Sequence, residues 1–291
     1  MRFMPALCRC IVLGMKPVSI QSKVALNNGV EIPWLGFGVF QAAPGDDTVA
    51  SVGHALRTGY RHIDTAAFYE NEADVGAAIA ESGIPRDEIF VTTKVWNTDQ
   101  GYDSTLRAFD VSVRKLGLDV VDLYLVHWPV PELYTDTWKA LEKLYADGRV
   151  RAIGVSNFLE HHLETIMSRF EIVPTVNQVE FHPRLLQTEL RHFCRKHRIQ
   201  YEAWSPLMRG KILDSDVLTG IAASHGKTPA QVLLRWDLQH EVVTIPKSVH
   251  PERIEENAGI FDFELSEEDM RAIDALDQNR RIGPHPDEIG R

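Results

Sequence analysis

Three titratable side chains stand at the ends of short apolar runs, where they could act together on one bound molecule. Asp64 lies in HIDTA, Lys94 in VTTKVW and His127 in LVHWP. If these runs are adjacent parallel strands, they lie about 4.8 Å apart and end at one rim. A buried ammonium without a partner is unfavourable, so Asp64 and Lys94 are predicted to form an ion pair. These two residues alone would also fit a pair that only holds the rim together.

Tyr69 follows closely on Asp64 and is placed to fold back over the same rim. A phenol, whose ordinary pKa is about 10, becomes a usable proton donor when a neighbouring ammonium stabilises the phenolate. Lys94 would supply that ammonium, and His127 would orient the oxygen that receives the proton. A single tyrosine near a helix start is more often a packing residue, so this interpretation depends on its neighbours.

The segments that must position these side chains alternate regularly along the chain. Strands are predicted at 35–38, 61–64, 89–94, 121–127, 152–155, 175–178, 200–204 and 242–246. Helices are predicted at 48–58, 70–82, 102–116, 135–147, 160–168, 185–197, 228–239, 251–260 and 266–277. Strand followed by helix, repeated around the chain, predicts an α/β protein with a closed (β/α)8 TIM barrel. Reactive side chains in such barrels come from the carboxyl ends of the strands.

The chain before the first barrel strand predicts a β-hairpin cap, because Asn-Gly in VALNNGVEIP supplies the positive φ angles of a tight turn. Residues 18–291 show no linker or low-complexity tract and are predicted to be one barrel domain. Residues 1–17 are interpreted as a disordered extension, or one upstream of a true start at Met15. A doubly wound sheet is disfavoured, since the text after Gly36 and Gly38 lacks the third glycine of a dinucleotide fingerprint.

Composition limits the partners that the protein is expected to have. The 291 residues carry a formal net charge of -10 and no long basic run, which argues against nucleic acid. No apolar stretch approaches the roughly 20 residues of a membrane span. Cys8, Cys10 and Cys194 match neither a disulfide framework nor a zinc site, so a reducing, cytoplasmic location is expected. A monomer is the default expectation, because the sequence shows no obvious self-association surface.

Taken together, the motifs strongly resemble those of the aldo-keto reductases, from about Lys23 to Asp277. The resemblance rests on GYRHIDTAAFYENEADVG, TTKVWN, DLYLVHWP, GRVRAIGVSNF, NQVEFHP, WSPL and IPKSVHPERIEEN. It implies a catalytic tetrad whose general acid in carbonyl reduction is the tyrosine, and the four residues are Asp64, Tyr69, Lys94 and His127. The short loop after His127 and the WSPL text are most similar to small prokaryotic members such as the diketogluconate reductases.

The resemblance also implies a nicotinamide cofactor that lies extended across the barrel mouth. Ser156, Asn157 and Gln178 are strand-end groups suited to a carboxamide, although any one of them could equally be a strand-end cap. Trp204 is expected to stack on the nicotinamide, where many members have tyrosine. The loop of Ser205, Pro206 and Leu207 is expected near the pyrophosphate. The remaining cofactor contacts implied are Gly38, Val39, Phe40, Asp64, Lys247, Ser248, Val249, Arg253, Glu256 and Asn257.

The choice between the two nicotinamide cofactors depends on a cationic cluster. Lys247, Ser248 and Arg253 offer two cations and a hydroxyl near a helix start, which favours the 2′-phosphate of NADPH. NADH carries no charge there and is a secondary prediction. A solvated surface cluster is the alternative reading of these charges.

The substrate pocket is predicted from aromatic residues beside the tetrad. Phe40, Trp96, His127 and Trp128 are expected to line it, which suits apolar or small carbonyl compounds, with dicarbonyls and keto-sugars among them. Phe40 replaces a tryptophan that many relatives carry, so the size of the pocket is open.

Two other functions are considered. A metal-dependent barrel hydrolase would use His62 and Asp64 on one strand face, but the later rim positions Asn157, Gln178 and Trp204 are poor ligands, so no metal is predicted. A non-catalytic NADPH-binding sensor subunit is the second alternative, and the complete tetrad argues against it.

Overall fold

The computed structural model describes residues 17–289 and forms a barrel of parallel strands. Two short strands, β1 (Lys23–Ala25) and β2 (Glu31–Pro33), precede it. The barrel strands are β3 (Phe37–Gly38), β4 (His62–Asp64), β5 (Phe90–Val95), β6 (Val121–Val126), β7 (Val150–Ser156), β8 (Val176–Glu180), β9 (Gln200–Trp204) and β10 (Val243–Thr244). All eight runs predicted from the sequence therefore contain a strand.

Each barrel strand pairs in parallel with the next along the chain, and the ends of the series meet. Closure comes from a parallel bridge between Leu35 and Thr244. The Gly36 amide donates to the Thr244 carbonyl at 2.9 Å, and the Thr244 amide donates to the Trp34 carbonyl at 3.0 Å. The predicted (β/α)8 barrel is confirmed.

The N-terminal hairpin of β1 and β2 lies at the amino ends of the strands. Its turn contains Gly29 at φ 85°, a left-handed conformation that glycine adopts without steric cost. Asn27 donates to the Pro174 carbonyl, and Asn28 donates to the Arg151 carbonyl. The predicted cap is therefore present, and it covers the end of the barrel opposite the rim that carries Asp64.

The helices surround the barrel. They are α1 (Asp46–Thr58), α2 (Glu72–Glu81), α3 (Tyr102–Leu116), α4 (Tyr134–Ala146), α5 (Glu160–Arg169), α6 (Thr188–Lys196), α7 (Asp216–His225), α8 (Pro229–Gln239), α9 (Pro251–Ala258) and α10 (Glu267–Asp274). The sequence analysis missed α7, which is an additional helix between β9 and α8. Its signals were Ser215 before the first turn and Gly226 at φ 62° after the last.

Two expectations concern the chain outside the barrel and its cysteines. Residues 1–16, with Cys8 and Cys10, lie outside the described residues. Cys194 is free and buried, and burial raises the pKa of its thiol to about 12.

Between residues 17 and 289, no helix has both the length and the apolar character needed to cross a membrane.

Candidate active site

Adjacent strands bring the predicted tetrad to one rim of the barrel. Asp64 is the last residue of β4, Lys94 lies near the end of β5, and His127 directly follows β6. Tyr69 ends a short 3-10 turn, Ala67–Tyr69, that returns the chain over the rim. The strands fix three of the side chains, while the turn supplies the fourth from a loop.

The Lys94 ammonium is the centre of this cluster. Its Nζ donates to Asp64 Oδ1 at 2.7 Å and to the Thr65 carbonyl at 2.9 Å. It lies 3.5 Å from the Tyr69 hydroxyl. The Tyr69 ring centroid lies 5.8 Å from that of His127. The structure thus brings together all four predicted catalytic side chains.

The charges around Tyr69 act in opposite directions on its pKa. Burial raises the pKa of the phenol, and the nearby Lys94 charge lowers it, but the net direction is upward. The expectation that Lys94 tunes Tyr69 therefore needs a refinement: the lysine offsets burial without reversing it. Tyr69 consequently keeps its proton near neutral pH, as a proton donor must.

Lys94 and His127 have different charge states, because their pKa values shift in opposite directions. Burial acts to lower the pKa of Lys94, but the attraction and the hydrogen bond of Asp64 outweigh it, so the pKa is raised and the ammonium stays charged. Burial and the Lys94 charge together hold the pKa of His127 well below its usual value. A neutral His127 can orient an oxygen by hydrogen bonding, whereas Tyr69 remains the stronger candidate for proton transfer.

A cavity of about 500 Å³ opens above the tetrad. Those predicted site residues that line it are Gly38, Phe40, Asp64, Tyr69, Trp96, His127, Trp128, Ser156, Asn157, Gln178, Trp204, Ser205, Pro206, Leu207 and Lys247. The predicted residues outside the lining are Val39, Lys94, Ser248, Val249, Arg253, Glu256 and Asn257. The size is appropriate for a small-molecule site.

One wall of the cavity is aromatic, and the sequence analysis missed part of it. Phe68, which is 47% exposed, stacks on Trp96 with ring centroids 3.8 Å apart. Phe40 lies 5.0 Å from the Tyr69 ring, centroid to centroid. Phe68 could have been found because it directly precedes Tyr69, within the turn that covers the rim. The wall places apolar surface beside the Tyr69 hydroxyl.

The polar side of the cavity is held in place by mutual hydrogen bonds. Asn157 donates to the His127 carbonyl at 3.0 Å and to the Ser156 hydroxyl at 3.1 Å. Its amide oxygen accepts from the Trp204 indole at 2.8 Å. The tryptophan ring is thereby fixed against the cavity. These amide and hydroxyl groups beside a flat ring fit the carboxamide end of a nicotinamide.

Lys247 follows β10 and reaches the loop after β3, the neighbouring strand at the closure of the barrel. Its Nζ donates to the Gln41 carbonyl at 3.1 Å, and partial burial lowers the pKa of the ammonium. Arg253 lies exposed on the first turns of α9, while Asn257 is buried farther along it. Glu256 already accepts from the Thr228 hydroxyl at 2.7 Å.

The C-terminal segment, residues 279–289, forms a further wall that the sequence analysis did not predict. Gly283, Pro284 and Ile289 line the cavity. The Glu180 carboxylate accepts from the Gly283 amide at 3.1 Å, and Asp287 accepts from His161 at 3.1 Å. No strand or helix periodicity marks this segment, which left the sequence without a signal for its position.

A carboxyl that the sequence analysis overlooked lies deeper in the barrel. Glu202, on β9, is fully buried, and a group of donor atoms on His62, Asp64 and Glu202 lies within 4.8 Å of one another. The Lys94 ammonium already supplies positive charge to this cluster at 2.7 Å from Asp64. His62 is fully buried and lies in this same cluster.

Known proteins resemble this chain in sequence and in fold. The family model described as "Aldo/keto reductase family" matches residues 34–278. The chain belongs to the aldo/keto reductase family. The resemblance predicted from the sequence is thus confirmed. This reductase is 60% identical to glyoxal reductase of Bacillus subtilis, over 94% of this chain and 99% of the relative. It is 43% identical to methylglyoxal reductase DkgA of Salmonella typhimurium, over 92% and 98% of the two chains.

Solved structures of aldo-keto reductases also share its fold. A mutant of the protein Gox0644 in complex with NADPH matches with a TM-score of 0.88 and 46% identity, covering 92% of this chain and 98% of that one. A Bombyx mori aldo-keto reductase in complex with NADP matches with a TM-score of 0.86 and 35% identity, covering 91% and 96%. Family membership makes this chain an oxidoreductase that acts on carbonyl groups and favours that reading over a barrel hydrolase.

Proposed function

We propose that this aldo-keto reductase reduces aldehydes and ketones to alcohols with NADPH, using Tyr69 as the general acid. The observation that carries the proposal is the buried Lys94 ammonium, which contacts Asp64 at 2.7 Å and lies 3.5 Å from the Tyr69 hydroxyl at the floor of an apolar cavity. Burying an ammonium costs desolvation energy, so its position beside the Tyr69 hydroxyl supports an electrostatic task at this site.

Each tetrad residue has a separate task in this proposal. Asp64 holds Lys94 in place, and Lys94 stabilises the phenolate that remains when Tyr69 gives up its proton. His127, neutral in its buried position, donates a hydrogen bond that orients the carbonyl oxygen. The aromatic wall formed by Phe68 and Trp96 excludes water from the reacting atoms.

The proposed cofactor would be held by groups on both sides of the cavity. NADPH, when bound, supplies the hydride for the carbonyl carbon. Ser156, Asn157 and Gln178 would hold its carboxamide, and Trp204 would stack against the nicotinamide ring. Support comes from the hydrogen bond that fixes Trp204 on Asn157 and from the amide-bearing lining.

We infer that the substrates include small α-dicarbonyls. The relatives named glyoxal reductase and methylglyoxal reductase support this class, and an enclosed aromatic wall suits small, weakly polar carbonyl compounds. Keto-sugars would need more polar contacts than the wall of Phe40, Phe68 and Trp96 provides.

The deciding experiment is NADPH consumption with glyoxal, methylglyoxal, simple aldehydes and keto-sugars, with and without a chelator. Turnover that survives chelation and is fastest with the dicarbonyls is expected. Loss of turnover on chelation would contradict the metal-free mechanism. Tight NADPH binding with no turnover of any reactive carbonyl would favour the sensor alternative.

Lys247→Ala and Arg253→Ala are expected to weaken NADPH binding about tenfold each, because one charge-assisted contact to the 2′-phosphate is lost. NADH has no such phosphate, so its affinity should change far less. Equilibrium titration with both cofactors measures the difference. Lys139→Ala, on the outer helix α4, is the matched control. Equal losses for both cofactors would rule out a 2′-phosphate site at these residues.

We also propose that the enzyme acts as a monomer in the cytoplasm. The location is supported by the free, buried thiol of Cys194, which suits a reducing compartment. Light scattering during size-exclusion chromatography tests the oligomeric state.

A further inference from the structure

Beneath the tetrad, one amide connects two buried carboxyl groups. Gln178 Nε2 donates to Asp64 Oδ2 at 2.7 Å and lies 3.2 Å from Glu202 Oε2. Because Asp64 is an anion paired with Lys94, the atom that approaches it must be the NH2 group and not the amide oxygen. Both hydrogens of that NH2 group are therefore directed at carboxyl groups.

The charges of this cluster require a proton on one of the carboxyl groups. The facing charged or titratable groups are His62 and Asp64 on β4, Lys94 on β5 and Tyr69 above them; β8 contributes the Gln178 amide, and Val243 lies opposite Glu202 on β10. Burial lowers the pKa of His62 to about 3, so the imidazole is neutral. One ammonium then faces two buried carboxyl groups.

Glu202 is the carboxyl group that keeps the proton. Asp64 contacts the ammonium at 2.7 Å, whereas Glu202 Oε1 has no hydrogen-bond partner among the described residues and lies 3.8 Å from His62 Nε2. Burial, followed by the repulsion of Asp64, raises the pKa of Glu202 from its ordinary value of 4.5 to about 8. At neutral pH the cluster therefore contains one cation, one anion and one neutral acid.

We propose that Glu202 is a positioning residue: together with Asp64 it occupies the NH2 group of Gln178, so that the Gln178 oxygen faces the nicotinamide carboxamide and accepts from its nitrogen. This inference rests on the proposed function, because it concerns how the same cavity holds NADPH. Gln178 lines the cavity, and its oxygen is the only polar end that the two carboxyl groups leave free for a ligand. Without Glu202, one amide hydrogen loses its partner, and only the contact with Asp64 still holds the amide in this orientation.

The test compares NADPH with its reduced 3-acetylpyridine analogue, in which a methyl group replaces the carboxamide NH2. The wild type should bind NADPH about tenfold more tightly, because the analogue cannot donate to Gln178. In Glu202→Leu this preference should fall to about twofold or less. The affinity for NADPH should decrease, whereas the affinity for the analogue should stay the same. Quenching of tryptophan fluorescence gives both dissociation constants without turnover.

Two further variants make the outcome decisive. Glu164→Leu, at an exposed position on α5, controls for the substitution and should keep the tenfold preference. Glu202→Gln, which keeps an acceptor and cannot ionise, should also keep it, and guards against poor folding of the leucine variant. If Glu202→Leu retains the wild-type preference, or if both ligands lose affinity equally, the positioning role is overturned. If the wild type binds no NADPH, the proposed function fails instead, and the inference with it.

A pH readout tests whether Glu202 keeps its proton in the folded protein. A carboxyl group whose pKa is raised in the folded protein contributes stability that is fully present below its ordinary pKa and is lost as the pH rises through the raised value. The urea midpoint of the wild type should therefore fall relative to Glu202→Gln between about pH 5 and pH 8. A constant difference across that range would contradict the neutral acid.

Discussion

Tyr69→Phe is expected to lower kcat about a thousandfold, because it removes the proposed general acid. The dissociation constant for NADPH should stay within about twofold, since the phenol is assigned to the substrate and not to the cofactor. The structure supports this separation: Tyr69 keeps its proton because burial raises its pKa, and its ring faces His127 and Phe40. Stopped-flow or steady-state loss of NADPH absorbance measures the change in turnover.

Tyr102→Phe is the matched control for this prediction, because Tyr102 is at the start of the outer helix α3 and packs against Lys139. It should leave kcat unchanged. Turnover by Tyr69→Phe close to that of the wild type would remove Tyr69 from the mechanism and shift proton donation to His127. The neutral state of that histidine, with its pKa held well below the usual value, makes this second outcome unfavourable.

Lys94→Met is expected to reduce both turnover and stability. Its removal leaves the Asp64 carboxylate buried without the ammonium at 2.7 Å, and breaking a buried pair in this way costs about 3–5 kcal/mol. Turnover should fall by at least about a hundredfold, because the Tyr69 phenolate loses its nearest cation. Urea unfolding measures the first effect, and NADPH consumption measures the second.

The double variant Lys94→Met/Asp64→Asn separates the two roles of the pair. Replacing the carboxylate with an amide removes the unpaired charge, so stability should largely return while turnover stays low. Lys196→Met, at an exposed position on the outer helix α6, should change neither property. Full recovery of turnover in the double variant would mean that the ion pair only supports the rim.

The tetrad and the barrel could be predicted because their signals are local. Asp64, Lys94 and His127 each end an apolar run, and parallel strands place such ends at one rim regardless of the detailed packing. The residues implied for the carboxamide, Ser156, Asn157 and Gln178, line the same cavity for the same reason. Alternation of strand and helix predicted the order of the barrel strands.

Features that depend on distant parts of the chain could not be predicted in this way. In the sequence, Glu202 is one polar residue inside a predicted strand. Its contact with Gln178, which also contacts Asp64, forms only when the barrel closes. Val39 follows a rim strand, yet its side chain is buried in the core and not in the cavity wall. The extra helix α7 was missed because the alternation was assumed to have no insertions.

The C-terminal segment, residues 279–289, shapes the cavity but contributes no strand to the barrel. It contributes Gly283, Pro284 and Ile289 to the cavity, and none of the eight barrel strands lies within it. Glu180 holds its inner part from the end of β8. Substitutions at cavity-lining positions of this segment, such as Ile289, would therefore change the cavity wall without altering a barrel strand.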